Sequence, residues 1–419
     1  MRRESCAACG GELRDFLDLG SSPPADRFAA TPDEEEAWYP LQAAVCTHCW
    51  LAQLREVVPD GELYGDDYGF RTGSSPAAVT YFGGLAHELT ALYPDRAAQL
   101  TVEIGCNDGT LLDEMRKAAV MPVRALGVDP SGAVAEAVIG RKTPAYREPF
   151  TAKLAGEIRE EYGPAGLVLA FNVVAHVADP RDFLAGVAAL LGVHGVAVIE
   201  FQDCEKLIAG CQFDHVYHEH RFFFTLRSFA RIARYAGLAV TDWERTPAQG
   251  GSLRVTLARQ CGELPAANMW LERWEPYASM QDRALYAKMR LLELLGAERE
   301  QGRVVAGWGA SAKSATLLNW CGISPREVPW IEDLTPGKVG RYAPGSRIPV
   351  RAPGLRPDTY LVTSWNYAGS MVRDGAGFLG LGGRLIIPGP VPVLLLRPRI
   401  SAGAVRGRDR VVAVPGVDA

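Results

Sequence analysis

The stretch LTVEIGCNDGTLL (residues 100–112) decides the fold. Leu100–Ile104 has the apolar, β-branched character of a buried strand, and Thr110–Val120 has the spacing of a helix. Between them Gly105 and Gly109 allow a sharp turn and a close approach of the backbone to a ligand. A strand that turns through glycines into a helix opens a β-α unit, and further units follow it. ALGVD (125–129), LVLAF (167–171) and VAVIEF (196–201) are short apolar runs of strand length with helical patterns between them. This alternation predicts a parallel sheet covered by helices, with ligands bound where the strands end.

The turn reads E-x-G-x-x-x-G through Glu103, Gly105, Asn107 and Gly109, not G-x-G-x-x-G, and no phosphate-loop Lys-Ser/Thr follows. Asp129, closing the second strand, is placed to accept hydrogen bonds from a ribose diol, or to cap the helix after Pro130-Ser131. The combination resembles the nucleoside-binding motif of class I S-adenosylmethionine methyltransferases, with NAD as the competing cofactor. Asn172 and His176, in FNVVAHV, lie just past the third strand at the same sheet edge. His176 also suits a helix start ahead of Asp179-Pro180.

Upstream of the sheet stand Cys6-x2-Cys9 and, 36 residues later, Cys46-x2-Cys49. Two thiolates on one tight turn can approach the same face of a metal, so paired knuckles predict a tetrahedral Zn2+ held by Cys6, Cys9, Cys46 and Cys49. Four thiolates leave no coordination position for water or substrate, so the expected role is structural. The acidic stretch Thr31–Pro40 reads as a solvated loop between the knuckles, and residues 76–92 read as a helix leading out of the module.

Downstream, a helix is expected near Leu226–Ala236, strands at Val240–Arg245 and Ser252–Leu257, and a long connecting helix over Ala266–Arg299. A second β-α series then begins with RVVAGWG (303–309), followed by VPWIED, TYLVTSW and RLIIPGP. The turn Gly307–Lys313 opens a helix whose N–H groups, with Ser311 and Lys313, suit a substrate phosphate; plain packing is the other reading. The expected organisation is α/β throughout: a zinc-binding N-terminal module (1–75), a central class I methyltransferase Rossmann-like domain (76–265), and a second Rossmann-like domain (266–419) that completes the substrate cleft.

The segment Tyr217-His-Glu-His220, with Asp214 and His215 just upstream, is the densest cluster of titratable residues. It lacks the H-E-x-x-H spacing of a metalloprotease. A histidine is a ready base near neutral pH, and a neighbouring carboxylate can orient its ring. In an extended chain Glu219 faces away from His218 and His220; on a turn the three converge.

The 419 residues carry a net charge of −5, with 48% hydrophobic and 22% charged residues. That length predicts two or three domains, and the composition excludes wholesale disorder. The acidic balance argues against a nucleic-acid partner. No run of about 18 apolar residues predicts a membrane span. MRRESCAACG has no apolar segment behind it, so a cytoplasmic protein with reduced cysteines is expected.

Taken in order, the cysteine pairs, EIGCNDGTLL, FDHVYHEH, GWGASAKSATLLN and GRYAPGSRIPV resemble the three-domain, zinc-containing C-methyltransferases that act on nucleotide-linked 4-keto-6-deoxysugars in antibiotic pathways. The resemblance implies that Glu103, Gly105 and Asp129 contact S-adenosylmethionine with Asn172 nearby. It implies that His220 is the base, with Tyr217, Glu219 and His176 in the same pocket and Tyr68 in a substrate loop. The sequence departs from the family at Phe70 and Phe223, where tyrosines are usual, and at Ser314 and Thr335, which replace Gly and Asn. The implied chemistry is deprotonation next to a ketone, followed by attack on the sulfonium methyl, with His220 and Glu219 both open as the base. A small-molecule substrate, no nucleic acid, no membrane and a monomer or homodimer are expected. The rival readings are an O- or N-methyltransferase on another natural product and a zinc-bearing nucleic-acid binder.

Overall fold

A computed structural model describes residues 2–64, 71–365 and 368–396. They form two compact units. The first contains the chain up to Asp18, Leu41–Lys206 and His218–Tyr277; the second contains Leu19–Pro40, Leu207–Tyr217 and the described residues from Ala278 on.

The first unit holds two sheets. The smaller is built from β1 (Leu13–Ser22), β2 (Tyr39–Cys46), β3 (Ala52–Leu54) and, from much later in the chain, β9 (Phe222–Phe223), in the order β1-β2-β3-β9. The larger contains β4 (Leu100–Ile104), β5 (Arg124–Val128), β6 (Ala145–Tyr146), β7 (Ala165–Phe171), β8 (Leu191–Gln202), β10 (Leu238–Thr246) and β11 (Ser252–Arg259). Its order is β10-β11-β8-β7-β4-β5-β6, parallel from β6 to β8, with β11 inserted antiparallel between β8 and β10.

Every residue of β4 and β7 is buried, because helices cover both faces and leave no polar side to alternate. The flanking helices start where the sequence supplies caps. Ser75 Oγ accepts from Ala78 N ahead of Pro76–Leu92, and Asp179 accepts from Arg181 N and Asp182 N ahead of Pro180–Leu190. Thr225 and Ser228 form a reciprocal capping pair for Leu226–Tyr235. The order and the single reversed strand are those of the expected class I methyltransferase sheet.

The second unit contains β12 (Val305–Trp308), β13 (Ile331–Glu332), β14 (Val350–Arg351), β15 (Thr359–Leu361), β16 (Arg384–Ile387) and β17 (Val393–Leu395). They run β14-β13-β12-β15-β16-β17, parallel except for β17. This is the second Rossmann-like sheet, packed around Val362, Trp365, Met371, Leu385 and Ile387.

One expectation is corrected. The long helix does not begin at Ala266: a short helix at Glu275–Ala278 precedes the real one, Met280–Glu300. Pro276 lacks the N–H that a helix unbroken from Ala266 would need, and stands instead in the first turn of the short one. The stretch Thr31–Pro40 is largely exposed, as a solvated loop would be, with one anchor. Gly345 N donates to Glu36 Oε2 at 2.9 Å and Arg347 pairs with the same carboxylate, so opposite charge anchors it to residues 345–347 of its own unit.

Candidate functional site

The C-terminal ends of β4, β5 and β7 lie along one sheet edge, and the candidate cofactor residues lie there. After Ile104 the chain turns through Gly105 at φ +73°, where a Cβ would stand 2.2 Å from Val173 Cγ2, so only glycine fits. Asn107 (φ +50°) and Gly109 (φ +76°) continue the turn into the helix Thr110–Ala118. Asn107 N donates to Asp129 Oδ2 at 2.9 Å, and Asp129 Oδ1 accepts from Ser131 N at 2.8 Å. Asp129 thus turns its own loop, as a cap would, and ties the β4 and β5 turns together. Asn107 Oδ1 accepts from Thr72 N (3.0 Å) and Asp108 Oδ2 from Gly73 N (2.7 Å), so residues 72–73 brace the turn from outside. Asn172 has left-handed backbone (φ +57°), its N–H held by Glu200 O at 2.8 Å.

Glu103 is the least satisfied of these groups. Its side chain is buried and, among the described residues, Oε2 has no hydrogen-bond partner. Burial, together with the negative charges of Asp129 and Asp108, holds its carboxyl well above the usual range. A buried acceptor left without a donor costs about 1–3 kcal/mol, so the site calls for a ligand that supplies one. The carboxylates of Asp108 and Asp129 beside this turn disfavour a pyrophosphate and suit a cationic cofactor with ribose hydroxyls. S-adenosylmethionine meets that description and NAD does not.

The histidine segment forms a turn at His218 and Glu219, the second of the two conformations open to it. His218 and Glu219 are buried and His220 is half-buried. His220 packs edge-on against His176, ring centres 4.9 Å apart. Tyr64 Oη lies 2.9 Å from His176 Nδ1. Burial, aided by the positive charge of Arg221, pushes His176 down to about 4, so its ring is neutral at physiological pH. Arg221 is itself buried, donates to Val58 O at 2.8 Å and pairs with Asp60. The N–H groups of Arg221 and Phe222 both donate to Ala175 O, which fastens the two histidine-bearing segments side by side. Tyr217 belongs to the second unit, where it packs with Ala25 and Ala315. Tyr68 lies outside the described residues.

In the second unit Ser311 caps the helix Ala312–Cys321, accepting from Ser314 N, and Ser364 Oγ donates to Ser311 Oγ at 3.2 Å. Lys313 is buried, which pushes it down to about 8 against the pull of Asp214 and Asp26. Asp214 is pushed up to about 6 by burial, although Trp365 Nε1 donates to it at 2.6 Å.

The four knuckle sulfurs lie within 4.8 Å of one another, with Cys6–Cys49 at 3.6 Å and Cys9–Cys46 at 3.4 Å. Tetrahedral zinc with bonds of about 2.3 Å needs sulfurs just under 4 Å apart, so the donor set fits that ion. Tyr64, Arg221 and Gln53, which donates to Cys6 Sγ at 3.3 Å, were not expected from the sequence. No motif marks them, because each acts through partners far away in the chain.

Three family models match consecutive parts of the chain: "Putative zinc binding domain" over residues 6–64, "Methyltransferase domain" over 80–242 and "C-methyltransferase C-terminal domain" over 247–390. C-methyltransferase NovU of Streptomyces niveus is 32% identical over 410 residues, covering 93% of this chain and 96% of that protein. The chain belongs to the C-methyltransferase family. This C-methyltransferase uses S-adenosylmethionine and binds zinc through its four N-terminal cysteines. Among solved structures, magnesium protoporphyrin IX methyltransferase of Synechocystis PCC 6803 with bound SAM aligns at 15% identity and TM-score 0.32, over 43% of this chain and 79% of that one. Mitomycin 7-O-methyltransferase aligns at 18% identity and TM-score 0.34, over 44% and 54%. No helix among the described residues is long and apolar enough to cross a membrane.

Proposed function

We propose that this C-methyltransferase alkylates the carbon next to the ketone of a nucleotide-linked 4-keto-deoxysugar, as a cytoplasmic step in natural-product biosynthesis. Glu103, Asp129, Asn172 and the turn Gly105–Gly109 hold S-adenosylmethionine, which supplies an electrophilic methyl group on a sulfonium when bound. His220 takes the proton from the carbon beside the ketone. His176, neutral and held by Tyr64, packs against the His220 ring and limits its orientations. Glu219 is the alternative base. In the second unit, Ser311 and Lys313 stand at a helix start whose N–H groups suit a phosphate.

The observation that supports this reading most is the pairing of His220 with a half-buried His176 whose ring is kept neutral. Transfer to carbon requires removal of a C–H proton by a positioned group, which this pair supplies. A hydroxyl would need a base as well, and the preference for carbon is supported by the C-methyltransferase relatives. The test is incubation with S-adenosylmethionine and a panel of keto-sugar nucleotides, followed by mass analysis and NMR. The expected product is one methyl heavier with a new carbon-bound methyl signal. A methyl on oxygen or nitrogen would overturn the reading.

A further inference from the structure

Cys49 of the second zinc knuckle and the histidine turn at His218 are about 170 residues apart in sequence, yet one short ladder connects them. β3 follows Cys49 almost directly and pairs antiparallel with β9, in the register Ala52↔Phe223 and Gln53↔Phe222. Leu54 N extends the ladder by donating to Arg221 O at 3.0 Å, next to His220. Arg221 N and Phe222 N donate to Ala175 O, next to His176. Both candidate histidines therefore adjoin residues hydrogen-bonded to this one rung of the zinc sheet.

Gln53 joins the rung to the metal site. It is fully buried, its Nε2 donates to Cys6 Sγ at 3.3 Å, and its Oε1 accepts from Ala7 N at 3.0 Å. A hydrogen bond to a metal-bound thiolate fixes both the ligand and the donor, as outer partners of metal sites generally do. The far end of β9 is held separately: Cys204 N donates to Phe224 O at 2.9 Å at the edge of the larger sheet. Loss of the zinc-side rung would thus loosen the His220 end, which keeps its bonds to Ala175 O and the Arg221 contacts with Val58 and Asp60, and leave the Phe224 end attached.

We propose that the zinc knuckle positions the His218–His220 turn, and that Gln53 is the positioning residue that links Cys6 to it. The catalytic half of this statement rests on His220 acting as the base; the placement of the turn does not. A shift of about 1 Å at a reacting group can cost on the order of 100-fold in rate, so a small displacement of this rung is enough to matter.

The test uses full-length, zinc-loaded protein labelled with 15N-histidine, comparing wild type with Gln53→Met, which keeps the side-chain length and removes both hydrogen bonds. Expected results are retained zinc, S-adenosylhomocysteine affinity within about twofold, and shifted ring signals for His176 and His220 with unmoved signals for His87 and His194. Methyl transfer should fall by about 10- to 100-fold in kcat, with KM for S-adenosylmethionine unchanged. Wild-type ring signals and a wild-type rate in a folded Gln53→Met protein would overturn the proposal. Shifted rings with an unchanged rate would support the placement and remove His220 from the chemistry instead. If Gln53→Met does not fold, hydrogen exchange on wild type during zinc removal by a chelator decides the matter. Amides of residues 52–54 and 220–223 should lose protection together while 196–201 keep theirs; protection persisting at 220–223 after 52–54 has opened overturns the proposal.

Discussion

Tyr64 Oη stands 2.9 Å from Nδ1 of His176 across 112 positions of sequence. The contact fixes the ring of a histidine that burial keeps neutral, and that ring in turn packs against His220. Tyr64→Phe removes the hydrogen bond and leaves the packing. Methyl transfer should fall by about 3- to 10-fold, the usual worth of one such bond, with S-adenosylhomocysteine affinity unchanged. Steady-state kinetics alongside calorimetric titration check this; a wild-type rate would mean that the His176 ring needs no anchor.

The depressed value of about 4 for His176 makes a prediction about acid stability. The unfolded histidine takes up its proton near 6.5 and the folded one does not until about 4. The stabilisation is therefore whole above 6.5 and is lost as the pH falls toward 4. Between pH 7 and pH 4.5 this single group should remove about 2–3 kcal/mol. His176→Gln should show a correspondingly shallower loss of stability over that interval in denaturant titrations. Parallel curves for the two proteins would contradict the assignment.

His220→Ala should lower single-turnover methyl transfer by roughly 10^2–10^4, the range of a positioned base, and leave S-adenosylhomocysteine binding nearly intact. Wild type should also exchange the substrate's acidic proton with deuterated solvent in the presence of S-adenosylhomocysteine, because enolisation does not need the methyl group. Glu219→Gln measured alongside distinguishes an orienting carboxylate, with a smaller loss, from the base itself. A folded His220→Ala enzyme that turns over near the wild-type rate would shift the role to Glu219.

At the cofactor edge, S-adenosylhomocysteine at 100 times its dissociation constant should stabilise the protein by about 2.7 kcal/mol. Asp129→Ala should weaken that binding by more than Glu103→Gln. It loses the Asn107 and Ser131 hydrogen bonds that shape two turns at once, whereas Glu103 Oε2 makes no bond among the described residues. Thermal shift and calorimetry on both variants give the order.

Metal analysis of the purified protein should find about one zinc per chain, since four thiolates complete its shell. Cys49→Ser should lower yield and thermal stability.

The sheet was legible from sequence because β4, β5, β7 and β8 are continuous apolar runs, and a buried parallel strand has no polar face to confuse its reading. The knuckles were legible because ligand spacing is local. The turn at His218 and Glu219 was not, because HEH suits an extended or a turned chain equally and the choice is made by Leu54 and Ala175, whose backbone atoms bond Arg221. Tyr64 and Gln53 carry no motif at all; an isolated Tyr or Gln acquires meaning only from what the fold brings beside it. The helix over 266–274 was misread because its charge pattern is helical, whereas Pro276 favours a fresh helix start at Glu275 over a continuation from Ala266.

The bridge between Ala29 and Tyr342, with Arg341 donating to Phe28 O across 313 residues, has a consequence for how the chain is made. Residues 23–38, between β1 and β2, leave the ribosome early but belong to a unit completed only by Leu207–Tyr217 and the residues from Ala278 on. At roughly 5–20 residues per second, they wait about 15–60 s for their partners. For that interval the segment is an orphan among nascent chains, exposed to chaperones and to neighbouring copies on the same message. Asp33–Glu36, four consecutive acids, keep that stretch hydrated during the wait, and Glu36 is spent on Gly345 and Arg347 only when they arrive. Replacing the run with neutral residues would leave the finished fold largely alone and would show itself instead as aggregation during expression.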